Sequence, residues 1–235
     1  MRARLRSGLR SGQRSGLRPA PPGRGHRRRP WREAPFVALD FETTGLDYTH
    51  DTIVSFGVVP VTGGRVVVGA ATHQLVRPAV PPSPASQRVH ELRPRDLAAA
   101  PGLEEARTDL ARAIEGRFLL VWFAEVELHF LAAIYGTRPG WWASRCLDVR
   151  NLAIAAERVS PSARGQVGFG LSSTAARYGV PVAEPHHALD DALVTAQLFL
   201  VLAGKIPGNP NPTVNGLLAA AGHRSRLEQR FKRAV

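Results

Sequence analysis

Phe36-Val37-Ala38-Leu39-Asp40-Phe41-Glu42 is a short apolar run that ends in acids, and it reads as a central β-strand. Side chains two apart on a strand face the same side, so the carboxylates of Asp40 and Glu42 project together. Two such charges beside a core repel each other and are costly to bury without a cation. A hard cation with oxygen ligands, Mg²⁺ or Mn²⁺, resolves that conflict. Thr43-Thr44-Gly45 then turns the chain sharply and leaves backbone amides beside the acids. The plainer alternative is a solvated strand end.

Working outward, Thr52 to Pro60 reads as a second strand and Gly63-Gly64 as a hairpin turn. Arg65 to Arg77, rich in Val and Thr, continues the sheet, and a Pro-rich loop follows at 78–84. Glu104 to Ile114 has helical spacing, Phe118 to Trp122 is a buried strand, and Val126 to Ile134 is helical. A short strand at Arg145 to Val149 leads into a helix from about Asn151. Gly165 to Gly170 reads as a loop, and Leu171 to Tyr178 as a helix closed by Gly179. Ala188, Leu189, Ala192, Leu193, Ala196, Phe199 and Leu200 form an i, i+3, i+4 apolar stripe on a last core helix. Strands first, then alternating helix and strand, predict an α/β fold with helices packed on a mixed sheet.

His186-His187-Ala188-Leu189-Asp190-Asp191 sits where a loop containing Pro181 and Pro185 enters that last helix. Asp191 falls in the first turn, near the positive helix terminus. His186, five residues earlier, can fold back over the same place, and an imidazole there titrates near neutrality and can take a proton from a water. In the plainer reading one Asp caps the helix and both histidines are solvated.

The 235 residues suffice for one sizeable domain plus tails, and an apolar content of 44% suits a globular protein. No apolar run approaches the roughly 18–20 residues of a membrane helix, and the N-terminus lacks the apolar segment of a secretory signal. Cys146 is the single cysteine, which excludes an intrachain disulfide and fits a reducing compartment, so the expected location is cytoplasmic. Nothing near Cys146 resembles the base or orienting group of a cysteine protease. The net charge of +12 is mostly a property of one end: residues 1–33 hold 11 Arg against Glu33, while the other 202 residues carry 20 basic and 18 acidic groups. Arg-Ser-Gly recurs at 6–8, 10–12 and 14–16, and the segment reads as disordered. It suits a phosphate-binding arm, a targeting peptide, or an extension without a role, including a start placed too early. The expected organisation is thus a tail over 1–33, a domain over 34–204, and a basic tail with one or two weak helices over 205–235.

Asp40-Phe41-Glu42-Thr43-Thr44-Gly45-Leu46 resembles the first motif of the DnaQ-like, or DEDDh, 3′–5′ exonucleases. His186-His187-Ala188-Leu189-Asp190-Asp191-Ala192 resembles their third motif, H-x-A-x-x-D. Val89-His90, Leu147-Asp148, and Leu171 to Pro181 match intervening family features in order, with Thr174 where a second Leu is usual. The two principal motifs lie about 145 residues apart. The resemblance implies a ribonuclease-H-like mixed sheet, antiparallel in its first strands and then parallel, flanked by helices. It implies a two-metal hydrolysis in which Asp40, Glu42 and Asp191 bind two Mg²⁺ or Mn²⁺ ions about 4 Å apart. His186 would deprotonate the attacking water. Thr43, Thr44, Gly45 and Leu46 would hold the terminal nucleotide, with Leu46 wedged against its base, and His90 is placed with this substrate-binding set. The partners implied are single-stranded DNA or RNA 3′ ends, and a proofreading role would require a DNA polymerase partner.

The second motif departs from the family pattern of His-Asn-x-x-Phe-Asp. Aligning Phe130-Leu131 puts Glu127 at the acidic position, Phe123 at the Asn and Trp122 at the His. Glu127 can complete the catalytic acids with a head group one methylene further out, or Glu127 and Glu125 can both lie on the helix surface. Two other functions therefore stand beside the exonuclease: a weak or inactive nucleic-acid-binding or partner-docking module on the same fold, and a phosphoesterase of small nucleotides.

Overall fold

The computed structural model of the chain describes residues 18–157, 169–206 and 209–221. Strand β1 (Phe36–Thr43) lies at the heart of a mixed sheet, paired along its length with the antiparallel β2 (Ile53–Thr62). Two short strands, β3 (Arg65–Val66) and β4 (Thr72–Leu75), both pair with β2. Helices α1 (Pro84–His90), α2 (Pro94–Leu97) and α3 (Leu103–Ile114) then lead to β5 (Phe118–Val121), which is parallel to β1. Next come α4 (Ala124–Tyr135), α5 (Pro139–Ala143) and β6 (Cys146–Asp148), parallel to β5. Helices α6 (Val149–Ala156), α7 (Leu171–Arg177), α8 (Ala188–Ala203) and α9 (Val214–Ala220) complete the fold, and the strand order is β3-β2-β1-β5-β6.

The period-2 alternation of β1 divides the core. Phe36 and Ala38 pack with α6, α8 and α9, while Val37, Leu39 and Phe41 face α3, α4 and α5 on the other side. Full burial of such side chains contributes about 1.5–3 kcal/mol each, which offsets the cost of carrying acids into the same strand. Asp40 and Glu42 share the face of Phe36 and Ala38, which is the face that α8 covers. β5 pairs only with Phe36 to Ala38, so β1 runs on past its neighbour. The acids stand at that carboxyl end, where open α/β sheets place their ligands.

The stretch Arg65 to Arg77 continues the sheet, as expected, but in two short pieces. A 3-10 turn at Val68–Ala70 separates β3 from β4. The break lies opposite Pro60, whose carbonyl accepts from Val67 N–H at 2.9 Å but which has no N–H to return to that edge. The folded body also extends beyond 34–204. Trp31 is 1% exposed and packs edge-on against Phe199 at 5.1 Å, and its backbone N–H donates to the Pro212 carbonyl. Val214 and Leu217 of α9 are buried in the same cluster, and Pro30 bridges to Thr213. Arg145, itself buried between Trp141 and Trp142, donates to the carbonyl of Ala20 at 2.8 Å. An arginine-rich composition hides this docking, because the large buried side chain is a single tryptophan among arginines and prolines. Residues 1–17 of the basic tail, and most of the expected loop at Gly165 to Gly170, lie outside the described residues.

Candidate active site

Asp40 and Glu42 are brought to Asp191 by a close approach between α8 and the sheet. Gly57 is the register partner of Asp40 on β2. A Cβ on Gly57 would lie 2.1 Å from the Ala188 carbonyl oxygen and 2.4 Å from the Leu189 nitrogen. The first turn of α8 therefore rests directly on the strand, and Asp191 reaches the acids beside it. One carboxylate oxygen from each of Asp40, Glu42 and Asp191 lies within 4.8 Å of the others. Gly57 was invisible as a site residue in the sequence, although a glycine inside an apolar strand is a signal of close backbone approach.

The electrostatics follow from burial and crowding. Burial, then the charges of Glu127, Glu42 and Asp191, push the Asp40 carboxyl well above the usual carboxylate range. Burial and Asp191 push Glu42 up to about 8. Burial also raises Asp191, opposed by the His186 N–H, which donates to Asp191 Oδ2 at 3.2 Å. His186 itself is exposed and takes a left-handed backbone with φ of 62°, an uncommon state for a non-glycine residue.

Glu127 is a buried residue of α4, 3% exposed, and its Oε2 is shut off from solvent with no hydrogen-bond partner among the described residues. It does not belong to the tightest acid trio, yet it is the largest charged neighbour acting on Asp40. Burial, followed by Asp148 and Glu42, raises its own carboxyl well above the ordinary range, against a lowering contribution from a backbone hydrogen bond. Asp148 sets where α4 begins: Oδ2 accepts from the Ala124 N–H and Oδ1 from the Asn151 N–H, both at 3.1 Å, so one carboxylate caps α4 and α6 together. Phe123, at the position where the resemblance expects Asn, precedes α4 in a left-handed conformation (φ 70°) and is 42% exposed. The Arg150 guanidinium lies 5.4 Å from its ring.

The turn after β1 is held by groups that the sequence reading did not single out. Asp51 accepts from the Thr44 hydroxyl at 2.6 Å and from the Asp47 N–H at 2.8 Å, and Thr44 Oγ1 accepts from the Thr52 N–H. A Cβ on Gly45 would meet the Asp51 carboxylate at 2.3 Å. The Thr44 carbonyl accepts from the Ser83 N–H and the Ser86 hydroxyl at the start of α1. Thr43 and Thr44 are buried, while Leu46 is 67% exposed. His90 Nδ1 accepts from the Leu92 N–H at 3.0 Å, so Nε2 carries the proton that it donates to the Thr43 carbonyl at 3.2 Å. Both ring nitrogens are thus engaged with main chain, and burial holds the imidazole pKa below its usual value. The geometry makes His90 a brace for the turn.

These residues fit a divalent cation. The donors are all carboxylate oxygens, their charges oppose one another, and the buried Glu127 oxygen lacks any partner. A hard cation answers each of these costs.

The family model described as Exonuclease, of the RNase T group, matches residues 37–199. A PolC-type DNA polymerase III of Thermotoga maritima is 30% identical over 169 residues, which is 72% of this chain but 12% of that protein. The DNA polymerase III subunit epsilon of Treponema pallidum is 27% identical, with 71% of this chain and 75% of that one covered. Among solved structures, E. coli exonuclease I in complex with a dT13 oligonucleotide superposes with a TM-score of 0.63 at 16% identity, over 74% of this chain and 42% of that chain. The chain spans about an eighth of the first of these relatives.

Proposed function

Since this chain belongs to the RNase T exonuclease family, we propose that it hydrolyses phosphodiester bonds at single-stranded 3′ ends of nucleic acid with the help of two divalent ions. The convergence of Asp40, Glu42 and Asp191 beside the unpartnered Glu127 oxygen carries this reading. Asp40, Glu42 and Asp191 hold Mg²⁺ or Mn²⁺, and Glu127 contributes the fourth carboxylate. When bound, two such ions supply positive charge to the attacking and leaving oxygens. His186, on the exposed loop beside Asp191, takes the proton of the attacking water. The rigid turn at Thr43 to Gly45 offers its backbone to the terminal nucleotide, and Leu46 packs against the last base. Leu46 and Phe123 are large apolar side chains exposed within four residues of a site acid, and such faces suit unpaired bases, which stack on them regardless of sequence. The polymerase III names of the relatives extend the proposal to a polymerase partner and to DNA work in the cytoplasm. Among the described residues no helix is long and apolar enough to cross a membrane.

A 5′-labelled single-stranded oligonucleotide incubated with Mg²⁺ or Mn²⁺ should give a ladder shortening from the 3′ end. The ladder should vanish in Asp40→Ala and in His186→Ala. Equal ladders from wild type and Asp40→Ala would sink the reading, and salt-dependent binding without cleavage would favour the non-catalytic module. Products from free nucleotides alone would point to the small-nucleotide phosphoesterase.

Glu127 yields a second prediction. Shortening it in Glu127→Asp withdraws the carboxylate by one methylene from a site built around the longer side chain. Activity should fall by about 10–100-fold, the range typical when a group around a metal is displaced. Higher activity in Glu127→Asp than in wild type would show that the natural glutamate weakens the site.

A further inference from the structure

Asp40, Gly57 and His73 form a row across β1, β2 and β4, on one face of the sheet. The middle residue has no side chain, and the start of α8 fills the gap. That helix start therefore has two flanks. On one, Asp191 meets Asp40 and Glu42. On the other, His187 lies against His73 of β4, with ring centroids 4.4 Å apart. A second group gathers there: one ligand atom each from Glu184, His187 and Asp190 lies within 4.8 Å of the others. His187 Nδ1 is shut off from solvent and makes no hydrogen bond among the described residues, although Asp190 Oδ2 is 3.3 Å away. Leaving a buried polar group unsatisfied costs about 1–3 kcal/mol, and a bound cation removes that cost.

We propose that Glu184, His187 and Asp190, with His73 as the fourth donor, bind a further cation of the zinc type, separate from the catalytic ions. The donor chemistry sets the class. Two imidazoles and two carboxylates suit tetrahedral Zn²⁺, whereas the all-oxygen group around Asp40 suits Mg²⁺ or Mn²⁺. The four residues come from a strand, a loop and a helix start, so an ion among them ties the loop before α8 to the edge of the sheet. His186 lies in that loop in its left-handed conformation. The second ion is therefore a structural one, which holds His186 in place without touching substrate. It stands whether or not the chain is a nuclease.

The test uses the full chain, stripped with a chelator and then kept in excess Mg²⁺ to occupy the oxygen-only site. Zn²⁺ should bind with a stoichiometry of about one, and Co²⁺ in its place should give the intense visible absorption of tetrahedral coordination. His187→Ala and His73→Ala should each weaken Zn²⁺ binding by about 10–100-fold or more. Asp40→Asn should leave it unchanged, which separates this site from the catalytic one. Equal Zn²⁺ binding by wild type and His187→Ala, loss of the ion in Asp40→Asn, or no Zn²⁺ retained in excess Mg²⁺ would each overturn the proposal. If His187→Ala fails to fold, Glu184→Gln on the exposed loop must show the same weakening.

Discussion

Asp40→Asn is expected to abolish metal-dependent hydrolysis and, at the same time, to make the metal-free protein more stable. Activity should drop by about a thousandfold or more, because the substitution removes a charge that a divalent ion requires. Stability moves the other way because Asp40 is surrounded by Glu127, Glu42 and Asp191, with no compensating cation acting on it among the described residues. Replacing a buried, repelled carboxylate with a neutral isostere should raise stability by about 1–3 kcal/mol. The sign also gives a pH dependence. A carboxyl whose folded pKa is raised favours folding below its unfolded value and loses that contribution as pH rises through the folded value. Glu42 is pushed to about 8, so the metal-free wild type should lose stability between pH 4.5 and about 8. A tenfold difference in proton affinity between the folded and unfolded chain corresponds to about 1.4 kcal/mol. Melting curves in chelator at both ends of that window, for wild type and Asp40→Asn, measure both effects. Added Mn²⁺ should raise the wild-type melting temperature most at the alkaline end and have little effect on the variant. A variant that melts below wild type in chelator at pH 8 would contradict this account of the site.

Gly57→Ala should damage the site from a position that bears no chemistry. The added methyl would stand 2.1 Å from one backbone atom of α8 and 2.3 Å from another, and no side-chain rotation relieves contact with a main chain. The helix must move away by more than 1 Å to restore ordinary contact. The same helix seats Phe199 on Phe36 of β1, with ring centroids 4.8 Å apart, and buries Leu198 and Leu202 in the core, so the displacement is resisted. Overpacking of this kind costs about 1–3 kcal/mol. A misplacement of about 1 Å in catalytic geometry costs on the order of a hundredfold in rate. The variant should retain its far-ultraviolet circular dichroism, melt several degrees lower, bind Mn²⁺ more weakly, and lose about two orders of magnitude in activity. Gly69→Ala, where a Cβ would meet nothing within 4 Å, is the matched control and should behave as wild type. Equal activity in the two variants would show that the seating of α8 on β2 does not set the position of Asp191.

Local geometry explains how much could be read in advance. The pairing of Asp40 with Glu42 follows from the two-residue period of a strand, which the chain imposes on itself. The placing of His186 and Asp191 at a helix start follows from a proline-containing loop that precedes an apolar stripe. Both features are written in neighbouring residues, as is the mixed sheet implied by strands followed by alternating helix and strand. What faces each of them is not. Glu127 could equally have been a surface residue of α4, and its burial beside Asp40 depends on where Asp148 caps that helix from another strand. Trp31 belongs to the core only because α8 and α9 leave a space for it, and the surrounding arginines mask that in any local window. Gly57 shows the same division at the centre of the site. The strand pattern makes it one more buried position, and only the packed helix reveals that its missing side chain brings Asp191 to Asp40. Periodicity is a property of the chain, whereas proximity across elements depends on the whole packed core, and the acids meet through the second of these.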